Sequence, residues 1–387
     1  MLAFKLAFRN LMGAGLRTWL NVSVLSFAFV LIIFHNGMID GWNRQGRNDT
    51  QDWEVGTGQF WHPDYDKLDM FSIQDAHAPL SAEATSLVKK GQITPLLIHQ
   101  ANIYPQRRMQ SVILKGIDPH QPILKLSTSV LAHSTDETSA IIGKRMAEAA
   151  RLKVGDAVLV RWRDKHGTFD AREVKIAAIF SCDVPAVDNG QMYLSLEVLQ
   201  EMTGLQNEAT ILVCGETFES APLNGWDFKD TDFLLREFNQ LIESKKGGGM
   251  VIQGLLLIIA LLAIFDTQVL TIFRRQKEIG TYIALGLTRA QVVGIFTVEG
   301  GAHSILAALV GAAYGIPLFM YLNTIGISFG TPDMGITIAE TIYPYYSIGL
   351  IFSTILLVVV SATIVSYIPA RKIARMKPTD ALKGKLQ

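Results

Sequence analysis

Cysteine is almost absent from this chain, since Cys182 and Cys214 are the only two in 387 residues. Two cysteines are too few for a disulfide framework or a zinc site. Either they meet and form a single bridge, which an oxidising compartment permits, or they stay two buried thiols. The sequence leaves both outcomes open.

The signatures of nucleotide binding and of common metal sites are also missing. The only Gly-Lys pairs, Gly143-Lys144 and Gly384-Lys385, lack the earlier glycine of G-x-x-x-x-G-K-[ST], so the chain has no P-loop for ATP. H-E-x-x-H and C-x-x-C do not occur, and the eight histidines lack the spacing of metal ligands. The net charge is zero, which gives no general affinity for nucleic acid. We therefore expect a non-catalytic chain with no metal, no cofactor of its own and no nucleic-acid partner.

Long apolar runs are the most prominent feature that is present. Hydrophobic residues make up 49% of the chain, and four runs exceed the roughly 20 residues that a helix needs to cross a bilayer. The runs are Thr18–Ile39, Met250–Phe273, Ala290–Leu322 and Ile342–Ile368. No small-x-small cleavage site follows the first run, so we expect an anchor and not a cleaved signal peptide. We predict four transmembrane helices, the fourth opening on an interfacial belt of Tyr343, Tyr345 and Tyr346.

Charge is strongly partitioned along the chain. The segment before the first run, the loop after the second and the tail after the fourth hold thirteen basic and two acidic residues. Segment 40–246 holds 22 basic and 29 acidic residues, and the loop after the third run has Asp333 and Glu340 without Lys or Arg. Because Lys and Arg near span ends stay inside, both termini are predicted to be cytoplasmic and the large segment extracytoplasmic.

The segment 41–230 mixes short β-rich runs with short helical patterns, which indicates an α+β domain inserted between the first and second transmembrane helices. The predicted strands are Ser111–Gly116, Ala157–Trp162, Glu173–Phe180 and Thr210–Val213. The predicted helices are Ser81–Lys90, Gly143–Ala150 and Ser195–Thr203. About 190 residues are enough to bury a core of their own.

Residues 231–249 follow this domain and carry apolar side chains at helical spacing, which predicts a stalk. Gly247, Gly248 and Gly249 are expected to interrupt the stalk helix, because each glycine costs a helix roughly 1 kcal/mol relative to alanine. Two interpretations remain open, a candidate hinge and a frayed junction without a mechanical role.

A charged loop between the second and third runs carries the most specific signal. Residues 274–300 read RRQKEIGTYIALGLTRAQVVGIFTVEG. This loop resembles that of the MacB/FtsX/lipoprotein-releasing (LolC/LolE-type) ABC transporter permeases, where it is the element that couples to a separate ATPase. The resemblance implies that the coupling residues here are Lys277, Glu278, Ile279, Gly280, Ala284, Leu285 and Gly286.

Two further segments are similar to this family. Residues 141–162 resemble part of the MacB-type outer domain, and the tail 369–384, PARKIARMKPTDALKG, resembles the closing cytoplasmic segment of these permeases. Together these features divide the chain into four parts. They are 1–40 with the first transmembrane helix, the MacB-like domain 41–230, the stalk 231–249 and an FtsX-like domain over 250–387.

The resemblance implies a permease subunit of the bacterial inner membrane, with a periplasmic domain, that pairs with a second permease copy or paralogue. ATP and magnesium would bind to a partner ABC-type ATPase dimer. The leading hypothesis is release of lipoproteins or lipidated cargo from the membrane lipids, with a periplasmic carrier or lipoprotein as a further partner. Mechanotransmission in an efflux or envelope-remodelling system, and a non-transport membrane sensor, are the alternatives.

Two carboxylates, Asp266 and Glu299, fall inside the apolar runs. A charge at bilayer depth costs several kcal/mol unless it is paired, protonated or wet, so both are candidate functional residues. For Asp266 we favour packing or hydrogen bonding at a subunit interface over proton transfer. Glu299 matches an acidic position typical of the family, and we expect it to anchor the helix turn.

Overall fold

The computed structural model describes residues 16–132, 138–182, 184–219, 222–328 and 341–374. It divides into two compact units. Among the described residues, the membrane unit comprises 16–43, Leu241–Ser328 and 341–374, and the α/β unit lies within Arg44–Gln240. The predicted domain boundaries stay predictions, although the compact α/β unit runs on to Gln240, past the predicted boundary at residue 230.

The helices and strands are numbered in chain order. The helices are α1 (Leu16–Thr50), α2 (Ala82–Lys89), α3 (Lys144–Ala150), α4 (Pro185–Asp188), α5 (Leu196–Thr203), α6 (Thr231–Leu234), α7 (Arg236–Arg274), α8 (Gln276–Ala284), α9 (Arg289–Ile325) and α10 (Ile348–Ala374). The strands are β1 (Gly58–Trp61), β2 (Ala78–Pro79), β3 (Ile93–Ile103), β4 (Gln110–Ile117), β5 (Ser139–Gly143), β6 (Ala157–Arg163), β7 (Phe169–Phe180), β8 (Gln191–Ser195), β9 (Glu208–Ala209), β10 (Ile211–Cys214), β11 (Asp227–Asp230), β12 (Ile327–Ser328) and β13 (Thr341–Ile342).

Four helices in the described part of the chain are long and apolar enough to cross a membrane, namely α1, α7, α9 and α10. Each contains most of one predicted run. Buried apolar side chains of α1, α7, α9 and α10 meet in one cluster that includes Phe29, Ile264, Ala307 and Val358. The four predicted spans are therefore the four long helices of the membrane unit.

The fourth helix begins six residues later than predicted, at Ile348. Pro344 disfavours the helical conformation at Tyr343, so a helix does not run through Tyr343 from Ile342. Instead, Tyr345 donates its backbone N–H to the Gly37 carbonyl at 2.9 Å, and the Tyr346 ring stacks on Phe319. The tyrosine segment thus precedes α10 and packs on α1 and α9, and the interfacial belt stays a prediction.

The glycine triplet does not interrupt the stalk helix, which corrects the prediction. Helix α7 runs without a break through Gly247, Gly248 and Gly249. A Cβ on Gly249 would lie 2.5 Å from His35 Nε2, whereas nothing lies within 4 Å of a Cβ on Gly247 or Gly248. Packing of one glycine on α1 supports the helical form here, and the hinge itself stays a prediction.

The α/β unit is organised by one nine-stranded sheet in the order β11-β1-β10-β3-β4-β8-β5-β7-β6. A further antiparallel pairing joins Ala101–Ile103 of β3 to Val160–Trp162 of β6. This pairing closes β3, β4, β8, β5, β7 and β6 into a six-stranded barrel, which removes the open edges of those strands. Strand β6 alternates strictly between buried and exposed side chains, as a barrel strand must.

All four predicted strands and all three predicted helices of this unit are present, with bounds shifted by a few residues. Strand β3 was not predicted, although it pairs with three neighbouring strands, β10, β4 and β6. Its residues 93–99 are all buried, so the apolar–polar alternation of a half-exposed strand is absent.

The two cysteines are buried, and no disulfide joins them. Cys182 lies in the cluster around Trp61, Ile98 and Tyr193, while Cys214 lies in a different cluster with Phe60 and Leu212. Burial raises the pKa of the Cys214 thiol to about 12. Of the two outcomes that the sequence left open, the structure has the pair of thiols.

The tail motif lies partly outside the described residues. Helix α10 includes Pro369, Arg371 and Lys372, and residues 375–387 are not described. Asp333 and Glu340, which entered the charge argument, also lie outside the described residues.

Candidate coupling site

The predicted coupling segment is a separate nine-residue helix, α8, between the long helices α7 and α9. It ends in a Schellman motif, because Gly286 donates to the Ile283 carbonyl and Leu287 to the Tyr282 carbonyl. Gly286 has φ of 96°, a left-handed conformation that a side chain with a Cβ adopts only with strain. The glycine therefore stops α8 and reverses the chain into α9.

A capping box then starts α9. The Thr288 hydroxyl accepts from the Gln291 backbone N–H at 3.3 Å, and the Gln291 side chain accepts from the Thr288 N–H at 2.8 Å. Two otherwise unsatisfied donors at the helix N-terminus are thus paired. Three local signals, the Schellman glycine, the capping box and the break at Arg275, set the length of α8.

Arg275 occupies the N-cap position of α8 and holds two carboxylates. Its Nε donates to Glu278 Oε2 at 2.7 Å, and its Nη1 lies 3.2 Å from Glu299 Oε2. The guanidinium also stacks over the Phe296 ring, with 5.2 Å between carbon and ring centroid. One arginine therefore connects the start of α8 to the part of α9 that carries Glu299.

Glu299 is nearly completely buried, with a side chain 4% exposed, whereas the Glu278 side chain is 55% exposed. Burial works against the charge of Arg275, but the Glu278 hydrogen bond and the two carboxylate charges outweigh it and raise the pKa of Arg275. Glu299 thus has a permanent positive partner, which a buried carboxylate requires. Glu299 is thus held at the start of α8, and its role as an anchor of the helix turn stays a prediction.

The seven predicted coupling residues divide into two sets in the structure. Ile279 and Gly280 are buried, and Ile279 packs with Ile272, Val292 and Phe296 in an apolar cluster. The other five are exposed, namely Lys277, Glu278, Ala284, Leu285 and Gly286. Leu285 is the most prominent of them, because 75% of its surface is open. The buried set holds α8 in place, and the exposed set forms its free face.

The environment of Gly286 is open within this chain. No atom of the chain lies within 4 Å of a Cβ built on it. A glycine is favoured at position 286 because of the positive φ there, and not because other atoms of the chain crowd it.

Asp266 is exposed on α7, and no polar partner for its carboxylate is recorded among the described residues. The neighbouring Thr267 accepts a hydrogen bond from Asn21 of α1 at 2.7 Å. The polar contact between α7 and α1 on this turn is therefore made by Thr267 and not by Asp266. Packing of Asp266 within this chain is therefore not seen. A subunit interface, the other part of the favoured interpretation, stays a prediction.

Sequence reasoning missed the close packing of polar residues one turn beyond Glu299. A Cβ on Gly300 would collide with the hydroxyl of Ser366 on α10 and would lie 3.3 Å from Gln268 Nε2 on α7. His303 Nδ1 lies 2.7 Å from the Glu299 carbonyl oxygen. Small residues let helix backbones approach closely inside a bilayer, and the pair Gly300-Gly301 was the available signal.

One pattern typical of serine hydrolases, G-x-S-x-G, does occur at residues 326–330. Ser328 lies in the two-residue strand β12, which follows helix α9. A nucleophile elbow needs the opposite order, a strand that turns sharply into a helix. Among the described residues, no group of three or more His, Cys, Asp or Glu side chains could hold a metal ion.

Helix α8 thus connects two membrane-length helices, α7 and α9. Residues 250–378 match the model of the FtsX-like permease C-terminal domain. The chain is similar to the lipoprotein-releasing system transmembrane protein LolC of Xylella fastidiosa (strain 9a5c), with 25% identity over 309 residues, 71% of this chain and 74% of that protein.

Other relatives cover less. The macrolide export ATP-binding/permease protein MacB of Escherichia coli is 30% identical over 158 residues, 39% of this chain and 23% of that protein. The extracellular domain of the noncanonic ABC-type transporter YknZ from Gram-positive bacteria matches 42% of this chain and 83% of that domain at 16% identity, with a TM-score of 0.26 that is too low to equate the folds. Residues 250–378 are thus similar to an FtsX-like permease domain, and the chain is similar to ABC transporter permeases of the LolC and MacB type.

Proposed function

We propose that this permease subunit couples ATP hydrolysis on a separate ATPase dimer to motion of its extracytoplasmic domain, and that this motion releases lipoproteins or lipidated cargo from the inner membrane. The observation that supports the coupling step best is the anchoring of α8 through Arg275 and Glu299. The cargo rests on the similarity to LolC, which extends over 71% of the chain.

The geometry of α8 suits the transmission of a push. Its exposed residues are Leu285, an apolar contact at its C-terminal end, and the charged Lys277 and Glu278 in its first turn. Its buried face is fixed by Ile279 in an apolar cluster that also includes Ile272 of α7 and Phe296 of α9. A force on the free face would therefore move two long helices together. Within an interface, apolar anchors usually carry more binding energy than exposed charges.

Substitution at Ala284 tests the coupling role. Ala284 is exposed in this chain, so Ala284→Trp leaves the fold intact but obstructs a partner surface. We expect the variant to insert normally and to lose assembly with the ATPase or stimulation of ATP hydrolysis, while Lys277→Ala loses less. Lys153→Trp, at an exposed site of the α/β unit, is the matched control. If Ala284→Trp assembles and hydrolyses ATP as the wild type does, α8 is not the coupling helix.

The proposed topology has both termini in the cytoplasm and the α/β unit in the periplasm. It rests on the excess of Lys and Arg in the predicted cytoplasmic segments. Single cysteines replacing Lys165 and Lys277, both exposed, provide the test in a Cys182→Ser/Cys214→Ser background. A membrane-impermeant maleimide should label position 165 in intact spheroplasts and position 277 only after lysis. Labelling of position 277 from outside would refute the topology.

Cargo release needs its own assay. The permease and its ATPase, reconstituted with a fluorescent lipoprotein, should release it to a periplasmic carrier only when ATP is present. Mechanotransmission in an efflux system is the second candidate, favoured by the 30% identity to MacB. Copurification with an envelope adaptor, together with no lipoprotein release, would support it instead. ATP-independent signalling would support the sensor.

A further inference from the structure

The α/β unit contains a cavity of about 320 Å³ that lies outside the coupling site. Three helical segments contribute to its wall. They are the π-helical turn Gln51–Val55 that directly continues α1, the short helix α6 with Phe233 and Leu234, and the first turns of α7 at Arg236, Glu237 and Gln240. The rest of the wall comes from β1, β3, β4 and β10 and from the loop after β1.

One side of the cavity is apolar and aromatic. The Trp61 ring meets Tyr65 edge to face at 5.0 Å and Phe233 at 5.8 Å. Ile98 and Ile211 complete this side. The Trp61 indole N–H donates to Gln59 Oε1 at 2.7 Å, and Gln59 Nε2 donates to the Glu54 carbonyl. The polar groups of Trp61 and Gln59 are thus already satisfied, so this side offers a ligand apolar surface together with the Tyr65 hydroxyl.

The other side holds an ion pair that is nearly buried. Glu54 and Lys115 have side chains 12% and 9% exposed, and Lys115 Nζ lies 3.9 Å from Glu54 Oε1. Lys67, which is more exposed, lies 3.7 Å from the same oxygen. A direct charge-assisted hydrogen bond would be about 2.7–2.9 Å long. Among the described residues, no hydrogen bond to the Lys115 ammonium is recorded, although the ammonium also lies 5.8 Å from the centroid of the Tyr193 ring.

Burial and the neighbouring charges act in opposite directions on this pair. Burial raises the pKa of Glu54, but the positive charges of Lys115 and Lys67 outweigh it and leave the pKa below its usual value. Burial lowers the pKa of Lys115, and the Glu54 carboxylate offsets part of this shift. A buried charge in this condition gains from any ligand that supplies the missing hydrogen-bond acceptors.

We propose that this cavity binds a small zwitterion with an apolar side chain, of the class of a hydrophobic α-amino acid. The ligand carboxylate accepts from Lys115, the ligand ammonium donates to Glu54, and the side chain packs on Trp61, Tyr65 and Phe233. A simple anion fits less well, because Glu54 would repel it. The volume lies at the lower end of the roughly 300–1,000 Å³ typical of small-molecule sites, which suits a ligand of this size and excludes a whole lipid. This site is additional to the proposed function and does not depend on it.

The test uses the full chain in lipid nanodiscs and three related probes. L-phenylalanine carries both charges, 3-phenylpropionate lacks the ammonium, and 2-phenylethylamine lacks the carboxylate. Isothermal titration calorimetry should detect saturable binding of phenylalanine, with each analogue weaker by about tenfold or more. Lys115→Gln should weaken phenylalanine binding by a similar factor. Lys125→Gln is the matched control, because Lys125 pairs with Asp52 at an exposed site outside the cavity.

Three results would overturn the proposal. They are no saturable binding of phenylalanine up to about 10 mM, equal affinity for the three probes, and unchanged affinity in folded Lys115→Gln. If Lys115→Gln does not fold, Phe233→Ala decides the matter, because the Phe233 side chain is 37% exposed and its removal leaves the core intact. A loss of about tenfold in affinity is expected there, and an unchanged affinity overturns the proposal equally.

Discussion

Removal of Arg275 should destabilise the membrane unit more than removal of either carboxylate that it holds. At 3.2 Å, and with an effective dielectric constant of about 20, the attraction between Arg275 and Glu299 is about 5 kcal/mol before desolvation is subtracted. Arg275→Gln leaves the buried Glu299 without a positive partner, and breaking a buried pair in this way costs about 3–5 kcal/mol. Glu299→Gln should cost less, about 2 kcal/mol, because Arg275 keeps Glu278 and is partly exposed. Glu278→Gln should cost under about 1 kcal/mol, because Glu278 is exposed.

The assay is thermal unfolding of the purified full chain in one detergent, followed by intrinsic tryptophan fluorescence. Arg274→Gln is the control, since Arg274 is the exposed neighbour of Arg275 at the end of α7. The double variant Arg275→Gln/Glu299→Gln should be more stable than Arg275→Gln alone, because the unpaired carboxylate is gone. The reasoning is refuted if Arg275→Gln unfolds at the same temperature as Arg274→Gln, or if the two single effects add without coupling.

Three further predictions concern separate parts of the chain. Gly286→Ala should lower the free energy of unfolding by about 1 kcal/mol, because Gly286 has a positive φ. Gly248→Ala, in an open helical position, should raise it by up to about 1 kcal/mol. Chemical unfolding of both variants measures the two effects, and equal effects would contradict the argument. Burial lowers the pKa of His99 below its usual 6.5, so as the pH falls the unfolded chain takes up the proton before the folded chain does. The α/β unit should therefore lose stability as the pH falls below about 6.5. His99→Gln should flatten this dependence of Tm between about pH 5 and 8, and an unchanged slope would exclude His99 as its source. Cys182 and Cys214 should resist alkylation in the native protein and both react after unfolding without reductant, and a single disulfide found by mass spectrometry would contradict this.

Local patterns predicted the parts of the structure that depend on nearby residues. The four apolar runs became four long helices, because a run of about 20 apolar residues has few other stable forms. Helix α8 was predictable as well, since Gly286 and the pair Thr288 and Gln291 mark its end and the start of α9 by local hydrogen bonds.

Contacts between distant residues could not be predicted in the same way. The sequence offered Arg274 and Arg275 equally, and only the fold places Arg275 against Glu299, 24 positions further along the chain. Closure of the barrel pairs Ala101 with Trp162, a register that no local pattern records. The cavity is a similar case, because Glu54, Lys115 and Phe233 meet only after three separate segments have folded.

The pairing of Arg275 with Glu299 has a consequence for biosynthesis. The chain is made from its N-terminus, so Arg275 leaves the ribosome before Glu299 does. When α9 enters the bilayer, Arg275, which directly follows the long helix α7, has already been made and can pair with Glu299, the single buried carboxylate of α9. A lone carboxylate entering hydrocarbon is penalised by several kcal/mol, and this arrangement shortens the time for which that penalty applies. Insertion of the third membrane helix is therefore coupled to the helix made just before it, as a pair and not one at a time.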